Sequence, residues 1–157
     1  KWEMVHMTLK NQLNDDLKDA MRKGEVTRRS TIRLLLAAIR NEEIAQQKEL
    51  EGEGILQVIN KQAQQRRESI DAYKTAKRDD LVDKEQAELE IIGLYLPEPL
   101  SHIDVMRIIE KAISEVSASG PQDMGKVMGK IIPQTRGRAD GKQISSKVEE
   151  LLRKITE

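Results

Sequence analysis

The most chemically distinctive part of the chain is a basic, glycine-containing segment between Met124 and Lys147. It holds six basic residues against one acid, Asp140, a local net charge of +5 in a chain whose formal net charge is zero. Basic side chains and accessible backbone amides are the groups that bind phosphates. The segment therefore predicts an anion-binding surface. Its candidate binding residues are Lys126, Lys130, Arg136, Arg138, Lys142 and Lys147.

Four glycines form the second part of this candidate site. Two of them interrupt an apolar pattern at helical spacing, which predicts a short helix with a buried stripe of Met124, Val127, Met128, Ile131 and Ile132. Each glycine costs a helix about 1 kcal/mol relative to alanine, so a pair on one face predicts that something packs close to the backbone. That neighbour is either another helix or a sugar-phosphate backbone. The predicted close-contact glycines are Gly125, Gly129, Gly137 and Gly141.

Known catalytic patterns do not fit these residues. The segment from Gly125 to Lys130 has three residues between its glycines, no Ser or Thr after the lysine and no preceding strand, so it is not a nucleotide-triphosphate loop. The chain has no cysteine and no Gly-x-Ser-x-Gly elbow. His102 begins a predicted helix and is interpreted as a surface or capping residue. We predict no catalytic residue, no metal ligand and no cofactor.

Other basic residues are interpreted as structural. On a continuous helix Arg29, Arg33 and Arg40 fall within about 40° of one another, beside an apolar stripe. Their stems are expected to cover the edge of the core while their heads pair with acids. A further set is predicted to make balanced surface pairs: Arg66, Arg67, Lys77 and Arg78.

The elements that position these residues are predicted to be helices throughout. The chain lacks Phe, and no run of alternating apolar and β-branched residues appears, so the fold class is all-α. Capping and breaking residues divide the helices, with Thr8, Asp79 and Ser101 at predicted starts and Gly24 at an end. The Gly52/Gly54 pair is predicted to break the second helix.

One proline-rich joint divides the predicted helices. Pro97 and Pro99 place a boundary between an N-terminal helical bundle, residues 8–96, and a smaller C-terminal bundle, residues 97–157. Residues 1–7 are interpreted as a cloning remnant, with Met7 as the native start.

Composition also constrains partner and compartment. The longest apolar run, Leu34 to Ile39, is too short to span a bilayer, and no leader pattern opens the chain, so a cytoplasmic protein without membrane contact is expected. Base stacking would need exposed aromatic side chains, and only Tyr73 and Tyr95 exist outside the first seven residues. A nucleic-acid partner is therefore expected to be folded and recognised by shape and charge, as structured RNA is, and not to be a single strand. No DNA partner is expected.

Several motifs together resemble the YqeY-like family. They are Asp123-Met-Gly-Lys-Val-Met128, Gly137-Arg-Ala-Asp-Gly141, Arg78-Asp-Asp-Leu-Val82 and Tyr95-Leu-Pro-Glu98, and the resemblance runs from about Thr8 to Ile155. The C-terminal part of that family is similar to the helical tail of the tRNA-contacting subunit of the glutamyl/aspartyl-tRNA amidotransferase. In that subunit the tail contacts tRNA, while a kinase-like domain and a partner amidase perform the chemistry.

The residues and the resemblance together leave three alternatives for function. The first is an accessory protein that binds tRNA, beside amidotransferase subunits. The second is an adaptor that docks a partner helix on the glycine-bearing helix. The third is a non-autonomous contribution to amide transfer in a larger complex. The chain has no counterpart of the kinase-like or amidase parts, so no enzymatic activity is predicted for the chain alone.

Overall fold

The computed structural model describes residues 8–157. Within that range every regular element is helical and no strand forms, which confirms the predicted all-α class. None of the helices in this range combines the length and apolar character that crossing a bilayer requires. The interpretation of residues 1–7 as a cloning remnant lies outside the described residues.

The first compact unit contains four helices. They are α1 (Leu9–Lys23), α2 (Val26–Gln46), α3 (Glu53–Thr75) and α4 (Asp79–Gly93). The hydroxyl of Thr8 accepts a hydrogen bond from the Asn11 N–H at 3.1 Å, and Gly24 ends α1 with a left-handed φ of +68°, both as predicted.

One predicted helix boundary in this unit is wrong. Asp79 is not a cap, because Arg78 takes the N-cap position and Asp79 is the first helical residue of α4. Helix α2 ends before the Gly52/Gly54 pair, with Gln47 as its C-cap residue at a φ of +55°. Gly52 is the N-cap residue of α3, and Gly54 lies inside that helix.

The core of the first unit is almost entirely aliphatic. Each helix contributes at least one side chain with no exposed surface: Leu13, Ile32, Ile59 and Ile92. Burying an aliphatic side chain of this size stabilises a fold by about 1.5–3 kcal/mol. Tyr95 is a buried member of this core, and its hydroxyl donates a hydrogen bond to the carboxylate of Asp16.

The second compact unit contains three α-helices and a short 3₁₀ turn. They are α5 (His102–Glu115), the turn (Pro121–Asp123), α6 (Met124–Thr135) and α7 (Gly141–Thr156). The Ser101 hydroxyl accepts from the Asp104 N–H at 3.1 Å, so the predicted cap of α5 is confirmed. The three helices enclose a second core, whose fully buried members are Ile109, Val127, Ile131, Val148 and Leu152.

The division between the two units falls between Leu96 and Pro97. Each unit has its own apolar core, and the two cores share no member. That the second unit folds by itself stays a prediction.

Candidate anion-binding surface

Helix α6 presents one buried and one exposed face in the second unit. Val127, Ile131 and Thr135 are buried against the core, and they follow one another at four-residue spacing. Met124 and Met128 are partly buried beside them, as expected. Ile132 does not belong to the buried stripe, because 39% of its surface is exposed. It lies about 100° from Ile131 and about 140° from Val127, which places it at the edge of the buried stripe.

The glycines of α6 lie on its exposed face. A Cβ added at Gly125 or at Gly129 would meet no heavy atom within 4 Å. Of the two alternatives for a close neighbour of these glycines, no helix of the described chain takes that place, and close contact with an external partner stays a prediction. The physical reason is that α6 turns Val127 and Ile131 towards the core, which leaves the glycine side without a neighbour.

The other two predicted glycines belong to the turn between α6 and α7. Gly137 has a left-handed φ of +76°, a conformation that costs glycine little and other residues more. Gly141 is the first residue of α7, and an added Cβ there would also meet nothing within 4 Å. The backbone of the turn is therefore open at Gly141, while Gly137 is needed for the turn itself.

Four of the six predicted basic residues make no ion pair with a described residue. These four are exposed: Lys126, Arg136, Arg138 and Lys142. The other two are partnered, since the Nζ of Lys130 lies 4.0 Å from Glu115 and the Nζ of Lys147 lies 3.5 Å from Glu150. All six cations thus lie in the second unit, but only the four without an ion pair among the described residues are left for an external anion.

Arg138 has a structural role that its sequence position does not reveal. Its backbone carbonyl accepts a hydrogen bond from the Leu100 N–H at 2.8 Å. Its Nε donates to the carbonyl oxygen of Glu98 at 3.3 Å. The segment after Pro97 is therefore tied to the turn between α6 and α7. These partners lie some forty residues apart in sequence, and no local pattern links them.

Helix α6 and Arg136 together form a continuous outer face. The Arg136 N–H still bonds to the Ile132 carbonyl at 3.0 Å, so Arg136 keeps its helical position. At about 100° per residue, Arg136 falls on the same side as Gly125 and Gly129, within about 40°. Lys126 lies at the edge of that face. We call these four residues, Gly125, Lys126, Gly129 and Arg136, the glycine face.

The two acids near the glycine face, Asp140 and Asp123, accept hydrogen bonds from backbone N–H groups. Asp140 caps α7, accepting from the Lys142 N–H at 3.0 Å. Asp123 precedes α6, and the Ser119 N–H at 2.8 Å holds the pKa of that carboxyl below its ordinary value. Both carboxylates therefore serve helix starts and turns. His102 is the first residue of α5 and is exposed, and Ser101 takes the cap position before it.

The arginines of the first unit are not arranged as predicted. Among the described residues, no acid pairs with Arg29, Arg33 or Arg40, so the expected ion pairs are absent. The nearby acids form ion pairs with Arg28 instead. Its guanidinium lies 3.7 Å from Asp16, 2.9 Å from Asp19 and 2.8 Å from Glu25. This role of Arg28 was not predicted from the sequence. The only local signal for it is Glu25, three residues earlier.

The further predicted surface pairs are partly different as well. Arg66 pairs with Glu88 at 3.2 Å, and both side chains are nearly buried, with 12% and 11% of their surface exposed. Arg78 forms an exposed pair with Asp80 at 3.1 Å, as a surface residue should. No ion pair within residues 8–157 involves Arg67 or Lys77. Within the same range, no cluster of three metal-ligating side chains occurs.

Comparison with known proteins identifies similar chains. The family model described as Yqey-like protein matches residues 10–152. A protein of Pyrenophora tritici-repentis is 31% identical over 144 residues, covering 90% of this chain and 79% of its own length. A protein of Saccharomyces cerevisiae is 33% identical over 125 residues, covering 76% and 68%. A protein of Eremothecium gossypii is 45% identical over 85 residues, covering 54% and 46%.

The names of these relatives bear on compartment. All three are named "Altered inheritance of mitochondria protein 41, mitochondrial". The expectation of a cytoplasmic location is therefore wrong, because the relatives that resemble this chain are named as mitochondrial proteins. The basis of that expectation, the lack of a leader pattern at the first residues of the chain, says nothing about residues that precede them.

Proposed function

The chain belongs to the YqeY-like family, and from the geometry of its second unit we propose that it binds folded RNA, with tRNA as the ligand class. The observation that supports this most directly is the glycine face: exposed backbone at two glycines, flanked by Lys126 and ending at Arg136. Cationic side chains beside open backbone suit phosphates and riboses. The compartment of the named relatives suggests a mitochondrial RNA.

The dimensions of the glycine face suit a phosphate backbone. From Gly125 to Arg136 the helix rises about 16 Å at 1.5 Å per residue, a length that spans several nucleotides. Lys142 follows at the start of α7, where the positive end of the helix dipole adds to its charge. The glycine face has no aromatic residue for base stacking, so recognition rests on charge and shape.

The choice of tRNA rests on the sequence resemblance to the tRNA-contacting tail of the amidotransferase. Association with amidotransferase subunits rests on that resemblance alone. The proposal for this chain is therefore RNA binding, and its chemistry needs no catalytic group.

A second candidate function has one specific observation in its favour. Ile132 is 39% exposed and falls on the same side of α6 as the glycine face, within about 60° of Gly125, Gly129 and Arg136. An aliphatic side chain among open glycines suits a docked protein helix. Phosphate contacts weaken steeply with salt, and apolar docking does not. Salt dependence of the interaction therefore separates an RNA ligand from a helical protein ligand.

The test uses three cations that the fold itself does not need. Lys126→Gln, Arg136→Gln and Lys142→Gln are combined, and Arg138 is kept because it holds Glu98 and Leu100. Affinity for a folded tRNA transcript is measured by fluorescence anisotropy at low salt. A loss of three phosphate contacts is expected to weaken binding at least tenfold.

The matched control removes three exposed lysines from the first unit, with Lys48→Gln, Lys61→Gln and Lys74→Gln combined. It makes the same change in net charge away from the proposed surface. Equal affinities for parent and control, with weaker binding by the glycine-face variant, support the proposal. Equal losses in the two variants would show that binding follows net charge only.

A further inference from the structure

Helix α2 carries a line of basic residues that the fold leaves without partners among the described residues. Arg29, Arg33 and Arg40 follow one another at spacings of four and seven residues, and Ile44 comes four residues later. These positions fall within about 60° on a helix, so they form one line along its surface. Arg33, Arg40 and Ile44 are exposed, Ile44 to 67%. We call this set the arginine seam.

No acid lies between the first and last arginine of the seam on its own helix, Arg29 and Arg40. Glu42 and Glu43 follow, where Glu43 pairs with Lys10 at 2.8 Å and Glu42 accepts a hydrogen bond from Gln46. On the neighbouring helix α1, the residue in contact with the seam is Met21, whose sulfur lies 3.9 Å from Arg33 Nη2. Asp16 and Asp19 of α1 are already bound to Arg28. The seam therefore lacks a counter-charge within the described chain.

Helix α4 carries the complementary line. Asp79, Asp83 and Glu90 repeat the spacings of four and seven residues, and Leu94 follows four residues later. All four are exposed, Leu94 to 73%, and its backbone is still helical. None of the three acids pairs with a described residue. We call this set the acidic seam.

The two seams match position by position. Each member of the acidic seam lies 50 residues after its counterpart in the arginine seam, so three opposite charges and one apolar pair fall in the same register. Ala37 and Ala87 also differ by 50 and occupy the middle of the seams. Small residues at that point let two helices approach closely.

The full match needs helices that run in the same direction. In an antiparallel alignment, with Arg29 opposite Glu90, Arg40 still falls opposite Asp79, but Arg33 and Asp83 fall three residues out of register. The apolar residues Ile44 and Leu94 then lie at opposite ends. The parallel alignment therefore pairs three charges and the apolar ends, whereas the antiparallel alignment pairs two charges and no apolar residues.

We propose that the chain associates with a second copy of itself, the arginine seam of one copy lying parallel to the acidic seam of the other. The partner is a second copy because this chain carries the matching charges, spacing and apolar end. The seams are different surfaces, so the contact is heterologous and is not limited to two copies. A stable interface takes roughly 20–30 residues from each partner, and each seam has far fewer, so the association is weak. It is also salt-sensitive, because its charges are exposed.

The test is sedimentation equilibrium of the whole protein over a range of concentrations at about 50 mM and about 500 mM salt, where screening differs strongly. The chain mass is 17.9 kDa. We expect the average mass to rise above that value with concentration at low salt, and to return to it at high salt. A single species of chain mass under all conditions would overturn the proposal.

Charge reversal identifies the surfaces. Arg33→Glu with Arg40→Glu gives both seams a net negative charge, because Arg29 remains against two new acids. Asp83→Arg with Glu90→Arg gives both seams a net positive charge. Each variant alone is expected to be monomeric, and an equimolar mixture is expected to associate again. Circular dichroism checks that each variant is folded.

The control reverses two exposed lysines on α3, Lys61→Glu with Lys74→Glu, and should associate like the parent. Association that survives either reversal, or a mixture of folded variants that stays monomeric, would overturn the proposal. RNA is absent throughout, so the outcome is independent of the proposed function.

Discussion

The backbone N–H of Leu100 donates a hydrogen bond to the carbonyl oxygen of Arg138 at 2.8 Å. This bond, with that from Arg138 Nε to Glu98, ties the residues after the proline joint to the turn of the proposed RNA surface. The joint is therefore part of the second unit. Its removal should affect the turn although it lies outside every helix.

The first prediction concerns two fragments of the second unit. The fragment 97–157 keeps both hydrogen bonds to Arg138, and the fragment 101–157 loses both. Each such bond contributes about 1 kcal/mol net, so the longer fragment is expected to be more stable by about 2 kcal/mol. Urea unfolding monitored by circular dichroism measures the difference. Equal stabilities would show that the two bonds do not stabilise the turn, and two unfolded fragments would contradict independent folding.

The second prediction concerns the cost of an exposed glycine. Gly129 lies inside α6 and an added Cβ meets nothing within 4 Å, so Gly129→Ala should stabilise the protein by about 0.5–1 kcal/mol. The second unit should melt several degrees higher. The same variant should bind folded RNA less tightly if the open backbone is used.

Gly93 is a suitable comparison for Gly129. It is also a helical residue with nothing within 4 Å of an added Cβ, and it belongs to the first unit. Gly93→Ala should leave RNA affinity unchanged. A destabilised Gly129→Ala variant would mean that a neighbour packs against the outer face of α6.

The third prediction concerns the nearly buried pair of Arg66 and Glu88. Glu88→Ala leaves the guanidinium of Arg66 without its 3.2 Å partner and with only the carboxylate of Glu85, at 3.9 Å, so the loss is expected to be up to about 3 kcal/mol. Replacing both residues, Arg66→Met with Glu88→Leu, should restore most of the stability because both charges of the close pair are removed together. Thermal unfolding measures both. A single variant within about 0.5 kcal/mol of the parent would show that the pair behaves as a surface pair.

The fourth prediction is a pH dependence at Glu43. The hydrogen bond from Lys10 and then that from the Leu50 N–H hold its pKa below the ordinary 4.5. A carboxyl with a lowered folded pKa stabilises the fold above its unfolded pKa, and this stabilisation disappears as pH falls through the folded pKa. Glu43→Gln should therefore be less stable than the parent at neutral pH, and the difference should close in acid.

Urea unfolding from pH 7 down to about pH 3, a window that brackets an ordinary carboxyl pKa, measures this difference. Glu49→Gln serves as the control, because Glu49 is exposed and makes no ion pair with a described residue. A stability difference for Glu43→Gln that stays constant in acid would contradict the assigned role of the carboxylate.

Sequence patterns predicted the helices well because their signals are local. Thr8 and Ser101 are capping residues within three positions of their partners, and their helices begin as predicted. Contacts between distant residues gave no such signal. Arg138 and Glu98 are 40 residues apart, and only the folded second unit brings them together.

The candidate site shows the same distinction. Its cations could be named from the sequence, but which of them are paired depends on neighbours such as Glu115, which comes from another helix. The glycine pair was correctly recognised as unusual in a helix. The sequence could not predict that the glycine side of α6 has no neighbour within the described chain. Helical spacing shows which residues share a face, but it does not show what covers that face.

The most direct test of the RNA proposal is the slope of log affinity for folded tRNA against log salt concentration. Each phosphate contact contributes about one to the magnitude of that slope. The combined Lys126→Gln, Arg136→Gln and Lys142→Gln variant should flatten it by about two to three relative to the parent, and the three-lysine control of the first unit should not. Absence of parent binding at low salt, or equal slopes for parent and variant, would contradict the account.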